Sequence, residues 1–293
     1  MIFGANVYQT AARMDGIEGY KGKITVEKYV ESVKQIKNLG YEQVELILDP
    51  VLYAFSEEEL KKLMQKLRQL KKDYNIKYSV HFPFWWVNIA IPEPEVRKAS
   101  VRVIKNCINL TAPLQPTHFV LHVFKGVFKR VNKSLAGEKV KSSSRSRIYQ
   151  YACESIEKII SELDNPDQLC IENLLNSNLE YLINLMEEYN TSFCYDIGHK
   201  YMHDTEELSF LEEYGERIKS IHAHNIRLVQ PDKNRRRFYK MEDHYSISKG
   251  AINFDRVLKI LEKINYQETI IIEVKRHEDA VSSARYLAEK NLL

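Results

Sequence analysis

Residues 168–196, QLCIENLLNSNLEYLINLMEEYNTSFCYD, carry the pattern that decides the fold. Two short β-rich apolar runs, 168–172 and 192–196, flank a stretch over 177–189 in which apolar residues return at helical spacing, so the segment predicts strand, helix and parallel strand. Both runs close on an acid, Glu172 and Asp196. Working outward, the same alternation predicts strands at 2–7, 42–47, 77–81, 118–122, 218–222 and 269–273, and helices near 24–39, 57–74, 94–112, 146–163, 205–215, 254–264 and 277–290. Eight strands each followed by a helix predict an α/β fold, a (β/α)8 TIM barrel with a parallel eight-stranded sheet. The rival is a doubly wound open sheet, which usually carries a Gly-rich turn after its first strand; none follows IFGANV here. The expected organisation is one barrel domain over 1–293, with long loops at 123–145 and 223–252. Each of those loops follows a strand, which places both on the catalytic face of a barrel.

Hydrophobic residues at 44% suffice for a sizeable core, and a net charge of +3 by itself implies no polyanionic partner. Cys107, Cys153, Cys170 and Cys194 form no CxxC pair, which reads as a reduced intracellular chain. No basic leader with a long apolar stretch opens the sequence, and no run of about 18 apolar residues occurs. A soluble cytoplasmic protein without a membrane partner is expected; the oligomeric state stays open.

The strand ends carry the chemistry. Six of the last seven predicted strands end on a potential metal ligand, in order His81, His122, Glu172, Asp196, His222 and Glu273; the second strand ends otherwise. A lone His or Glu in such a place is ordinarily a hydrogen-bonded structural group. Six on one rim differ, because clustered carboxylates repel and clustered imidazoles lose their protons unless a cation lies among them. In Asp196-Ile197-Gly198-His199 a Gly-assisted turn is expected to swing His199 toward the same mouth. Glu242 and His244, two residues apart, share a side if their segment is extended. His224 has the phase of His222 and is expected in a supporting or substrate-binding role, while His118, His203 and His277 read as structural. Mixed imidazole and carboxylate donors suit zinc, with manganese possible; calcium would want oxygen alone.

These residues, in this order, resemble the xylose isomerase-like TIM barrel superfamily, and within it the endonuclease IV type, AP endonuclease family 2. VHFPFWWVNIAIPEPEVRKAS resembles that family's third strand and following helix, with His81 at the ligand position, Phe84 three residues on and Asn88 before the Pro-rich helix entry. VLH at His122, IEN at Glu172, DIGH at Asp196 and His199, KSIHAHN at His222, EDHYSISKG at Glu242 and His244, and IIIEV at Glu273 continue the likeness. The resemblance implies three zinc ions that bind a phosphate and activate a water, with Glu172 bridging two of them. His81, His122, Asp196, His222 and Glu273 would complete those two sites, and His199, Glu242 and His244 would hold the third. Glu242 stands where the family's acid-x-His motif begins with Asp, and VEL at 44–46 is closer to the sugar isomerases and epimerases.

The expected function is therefore a zinc-dependent hydrolase of the endonuclease IV type, a phosphodiesterase in which Glu172 and Glu273 are catalytic. Abasic-site DNA, and hence DNA repair, is its sharpest form. Lys125, Lys129, Arg130, Lys133, Lys139, Lys141, Arg145 and Arg147 in one long loop, and Arg227, Lys233, Arg235, Arg236, Arg237 and Lys240 in the other, would make the rim basic and draw in nucleic acid or a phosphorylated small molecule. Phe84, Trp85 and Trp86 could stack on bases there, with Asn88 and His224 as further substrate contacts. The alternative is a metal-dependent sugar or sugar-phosphate isomerase or epimerase, which needs Glu172, Asp196, His222 and Glu273 around one ion. A barrel that keeps its metal site as a binding module is the third reading.

Overall fold

Ten β-strands and ten α-helices make up the computed structural model, which describes residues 1–7, 24–124, 142–175, 179–203, 208–229 and 240–293. Eight parallel strands close a barrel: β1 (Ile2–Asn6), β2 (Gln43–Ile47), β3 (Lys77–His81), β4 (Phe119–Leu121), β5 (Leu169–Glu172), β6 (Ser192–Asp196), β7 (Ile218–Ala223) and β10 (Thr269–Ile272), with β1 pairing β10 to complete the circle. The remaining two, β8 (Asn225–Val229) and β9 (Lys240–Tyr245), form an antiparallel ribbon inside the expected 223–252 loop. The β-rich runs became the barrel strands because both of their faces are covered, as the fully buried β2 and β6 show.

Strand alternation assigns the interior. The registers Gly4↔Gln43, Glu45↔Ser79, His81↔Val120, Val120↔Cys170, Glu172↔Cys194 and Asp196↔His222 put one phase of every strand on one face. Val120, Cys170 and Cys194 form a small cluster separate from the large one, which contains Phe119, Ile171, Phe193 and Tyr195 of the opposite phase. That opposite phase meets the helices: Tyr195 stacks on Phe210 of helix α8 (Ser209–Tyr214) at 5.1 Å between ring centres. Two residues further along the inward phase stand His122, Glu172 and Asp196, so the barrel's packing layer and its polar mouth are consecutive positions of the same strands. Gly4 is required in this interior, since a Cβ there would lie 2.7 Å from the Gln43 carbonyl oxygen and 2.7 Å from Ile271 Cδ1.

The outer helices follow ordinary end chemistry. Helix α3 (Glu57–Tyr74) opens with a Ser56–Glu59 capping box and closes on Asn75 in the left-handed region, φ 51°. Helix α4 (Pro94–Thr111) opens on Glu93 with Pro94 in its first turn. Helices α1 (Val26–Asn38), α5 (Ser142–Ile160), α6 (Leu179–Tyr189), α9 (Phe254–Lys263) and α10 (His277–Ala288) fall where periodicity predicts them. Two helices were not expected: α2 (Leu48–Ala54) and α7 (Ile197–His203) start directly at the ends of β2 and β6. At seven residues each, they are too short to display an apolar period. Among the described residues no helix is long and apolar enough to cross a membrane.

Candidate metal centre

Glu172, at the end of β5, is the centre of the mouth. Its Oε2 lies 3.1 Å from His81 Nε2 and 2.8 Å from His122 Nε2. Its other oxygen, Oε1, lies 3.5 Å from His222 Nδ1 and 3.7 Å from His199 Nδ1. One carboxylate thus turns each oxygen to a different pair of imidazoles. Glu273, just past β10, puts Oε2 3.3 Å from His222 Nδ1 and 3.5 Å from His244 Nε2. Two groups of potential ligand atoms follow, His81 with His122 and Glu172, and Glu172 with Asp196, His222 and Glu273. All the donors within each group lie within 4.8 Å of one another.

The histidines are held by their far nitrogens. His81 Nδ1 contacts the Phe82 carbonyl at 2.9 Å, His244 Nδ1 lies 2.9 Å from Asp243 Oδ1, and His222 Nε2 lies 3.0 Å from Glu45 Oε1. In each ring the remaining nitrogen faces Glu172 or Glu273. The His222–Glu45 and His244–Asp243 contacts are close but bent, so Glu45 Oε1, His222 Nε2 and His244 Nδ1 complete no hydrogen bond, and His122 Nδ1, His222 Nδ1 and Glu273 Oε2 also lack one. Buried polar atoms without partners are costly, and a cation among these donors would satisfy those that face it.

Charge points the same way. Burial would raise the Glu172 carboxyl, but His122 and His222 beside it hold it well below the usual carboxylate range. Burial would likewise raise Glu273, and His244 and His222 hold it low. Burial opposes a charge on His244, yet Glu273 and Asp243 raise it to about 10, and His81 rises to about 8 beside Glu172 and Glu45. Protons on imidazole are what balance the carboxylates here; a divalent ion would replace them. The mixed nitrogen and oxygen donors fit zinc or manganese, and neutral imidazoles in number favour zinc.

Asp196 opens α7 as well as facing the mouth. Its Oδ1 accepts from the His199 backbone N–H at 2.6 Å and lies 3.1 Å from His224 Nε2, while Oδ2 is 3.3 Å from His199 Nδ1. The expected Gly-assisted turn is therefore the first turn of a helix, and Gly198 has no left-handed backbone to explain it. Its reason is steric: a Cβ on Gly198 would collide with the ring of His224. His224, fully buried, also accepts the His244 backbone N–H on Nδ1 at 3.1 Å and stacks on the His244 ring at 4.2 Å. Although His199, His224 and His244 form a third group of close donors, both nitrogens of His224 already have partners inside the chain.

Glu242 departs from the expectation of a shared side with His244. Between the pairs Arg227↔Glu242 and Asn225↔Tyr245 the register shifts, so Asp243 and His244 together oppose Ile226, and His244 sits at φ 61°. Such a bulge breaks the alternation that the extended reading relied on. Glu242 Oε2 accepts from the Tyr245 hydroxyl at 2.7 Å, and Glu242 joins none of the ligand groups among the described residues. Asp243, the middle residue, supports His244 instead.

Phe84 walls the mouth, its ring 5.0 Å from that of His81 and 4.7 Å from that of His122. Trp85 and Trp86 are exposed and pack edge to face at 5.8 Å. Asn88 turns inward to its own loop: its N–H donates to Ser100 Oγ and its Oδ1 accepts from Ala90 N–H. His118 is buried, with Nδ1 3.1 Å from Thr117 Oγ1. Arg235, Arg236 and Arg237 lie outside the described residues, as does the basic run from Lys125 to Lys141; Arg227 lies over the Tyr245 ring at 4.1 Å.

Three site-lining groups were missed in the sequence. Glu45 sits one residue pair short of the strand end, Cys194 shares close range with Glu172 and His222, and Asp49 clasps the Phe84 and Trp85 backbone N–H groups at 2.9 and 2.8 Å. For Glu45 the inward phase of β2, which it shares with Gln43, was the available signal.

With an eight-stranded parallel barrel and a cluster of His, Asp and Glu at its strand ends, the chain belongs to the xylose isomerase-like TIM barrel family, whose model matches residues 33–290. It is 27% identical over 267 residues to the uncharacterized protein MJ1311 of Methanocaldococcus jannaschii, covering 90% of this chain and 85% of that one. A D-tagatose 3-epimerase-like protein superposes with TM-score 0.70 at 23% identity, covering 100% of this chain and 98% of the other. An AP endonuclease, family 2, from Brucella melitensis superposes with TM-score 0.65 at 15% identity, covering 98% of each chain. These two structural likenesses speak for the barrel and not for a substrate.

Proposed function

We propose that this chain is a zinc-dependent phosphodiesterase whose Glu172 bridges two ions. The observation that carries the reading is the division of Glu172: Oε2 between His81 and His122, Oε1 toward His222. His81, His122 and Glu172 would hold one ion, and Glu172, Asp196, His222 and Glu273 the second. His199 Nδ1 and His244 Nε2 offer imidazoles for a third. Ions held by these residues would supply positive charge to a phosphoryl group and would make a water nucleophile available at neutral pH.

The chain's own residues do the rest. Asp196 and Glu273 fix the geometry from rigid strand ends, and the wall formed by Phe84 limits water at the His81 and His122 side. Glu273, the least buried of Glu45, Glu172, Asp196 and Glu273, is the acid nearest an incoming substrate. Exposed Trp85 is positioned to stack on a ring of the substrate. Abasic-site DNA is the first substrate to assay, followed by nucleotides and simple phosphodiesters. The free cysteines suit the reducing cytoplasm.

A second reading is kept for a specific observation: Glu172, Asp196, His222 and Glu273 form a compact four-donor group by themselves, sufficient for one ion in a sugar isomerase or epimerase. Elemental analysis of protein purified without chelator separates the two. Two or three zinc ions per chain with phosphoester cleavage support hydrolysis. One manganese or magnesium with interconversion of sugar epimers or isomers replaces it with the second reading.

A further inference from the structure

We infer that Glu45 is a positioning residue of the metal centre: it accepts the Nε2 proton of His222 and so presents His222 Nδ1 to the ion. The inference rests on the metal reading above.

Glu45 is wholly buried on β2, on the face turned into the barrel. A carboxylate in such a place is expensive unless charge or hydrogen bonds compensate it. Its oxygens have two contacts of note: Ser79 Oγ donates to Oε2 at 3.2 Å, and His222 Nε2 stands 3.0 Å from Oε1. A serine hydroxyl alone is a poor match for a buried anion, which leaves His222 as its principal partner. On the opposite edge of the same ring, Nδ1 faces Glu172 Oε1 at 3.5 Å and Glu273 Oε2 at 3.3 Å. His222 is therefore pinned between one acid behind it and two acids in front.

A neutral imidazole has one N–H and one lone pair, so the side that carries the proton decides which nitrogen can bind an ion. An acid-only acceptor at Nε2 selects the Nε2–H form and leaves the Nδ1 lone pair toward Glu172 and Glu273. Nε2 and Oε1 are already within hydrogen-bond distance, so a small rotation of the ring suffices to straighten their bent approach. Cys194 also lies within 4.8 Å of the His222 and Glu172 donors, but a thiol is a weak acceptor and does not compete for the proton. His81 provides the contrast, since its supporting acceptor is the uncharged Phe82 carbonyl. Partners of this kind commonly alter metal affinity by about 10- to 100-fold.

The experiment compares wild type, Glu45→Gln and Glu45→Asp by zinc competition against a chromogenic chelator, with thermal melting of the metal-free chains as the fold control. Glu45→Gln is expected to lose about 10- to 100-fold in affinity at one site and Glu45→Asp to recover part of it. In wild-type chain labelled with 15N-histidine and loaded with zinc, His222 should keep its proton on Nε2 and show the metal shift on Nδ1. This measurement decides the matter even if every Glu45 variant fails to fold. Unchanged affinity in Glu45→Gln, or zinc on His222 Nε2, overturns the role of Glu45 alone. A wild-type chain that takes up no zinc overturns the proposed function and this inference together.

Discussion

The two sides of the mouth differ in what holds them. His81, His122 and Glu172 stand on or next to β3, β4 and β5, where the pairing of the barrel leaves each side chain one direction to take. His199, His224 and His244 stand on a seven-residue helix, a strand junction and a bulged ribbon, and are aimed by one another: Asp196 caps the helix, His224 takes the His244 N–H, and Gly198 makes room for His224. Ladder hydrogen bonds aim the first side; side-chain packing aims the second. The first should therefore tolerate local change that the second does not.

The largest effect is expected where the two sides meet. Glu172→Gln should lower phosphoester hydrolysis by more than about 100-fold, beyond what supporting partners are worth, and cut the zinc count, with circular dichroism unchanged. Near-normal turnover would show that the sides work without a shared carboxylate.

Gly198→Ala tests the packed side directly. The methyl group cannot coexist with the His224 ring, so overpacking of about 1–3 kcal/mol is expected in urea unfolding. Zinc affinity at the His81, His122 and Glu172 site should hold while binding that depends on His199 and His244 weakens. Equal loss at both sides would erase the distinction between them.

The bulge predicts an inversion of the sequence reading. Asp243→Asn should weaken zinc binding by about 10-fold, because it removes the acid behind His244. Glu242→Gln, whose site partner is the Tyr245 hydroxyl, should leave the zinc titration unchanged. The opposite ranking would return Glu242 to the ligands.

The last effect, absent at neutral pH, concerns His118, buried within electrostatic range of Glu45 and His222. Burial lowers its pKa from 6.5 to about 4, so below pH 6.5 the unfolded chain takes a proton that the folded chain refuses. Its contribution is harmless above pH 6.5, and stability declines as pH falls from there toward about 4. His118→Gln should flatten that part of a pH series of urea midpoints without altering zinc content. A series unchanged by the substitution would place the acid sensitivity elsewhere.

The strands, the barrel and the inward direction of His81, His122, Glu172, Asp196, His222 and Glu273 were legible because alternation with period two fixes direction wherever a strand is paired on both sides. Glu45 escaped because attention to strand ends passes over an acid two residues earlier, although its phase already pointed inward. Asp49 escaped because its helix is too short for a pattern. Glu242 was misplaced because no sequence signal marks the extra residue of a bulge.

By itself, then, the sequence determined the barrel and the chemical character of its mouth, since both follow from local periodicities repeated eight times. Only the tertiary structure decided which nitrogen of each histidine faces Glu172 or Glu273, which acid stands behind it, and that Asp243 rather than Glu242 serves His244. Those outcomes depend on contacts between residues far apart in the chain, such as Glu45 and His222, and no local pattern encodes the last few ångströms of an approach.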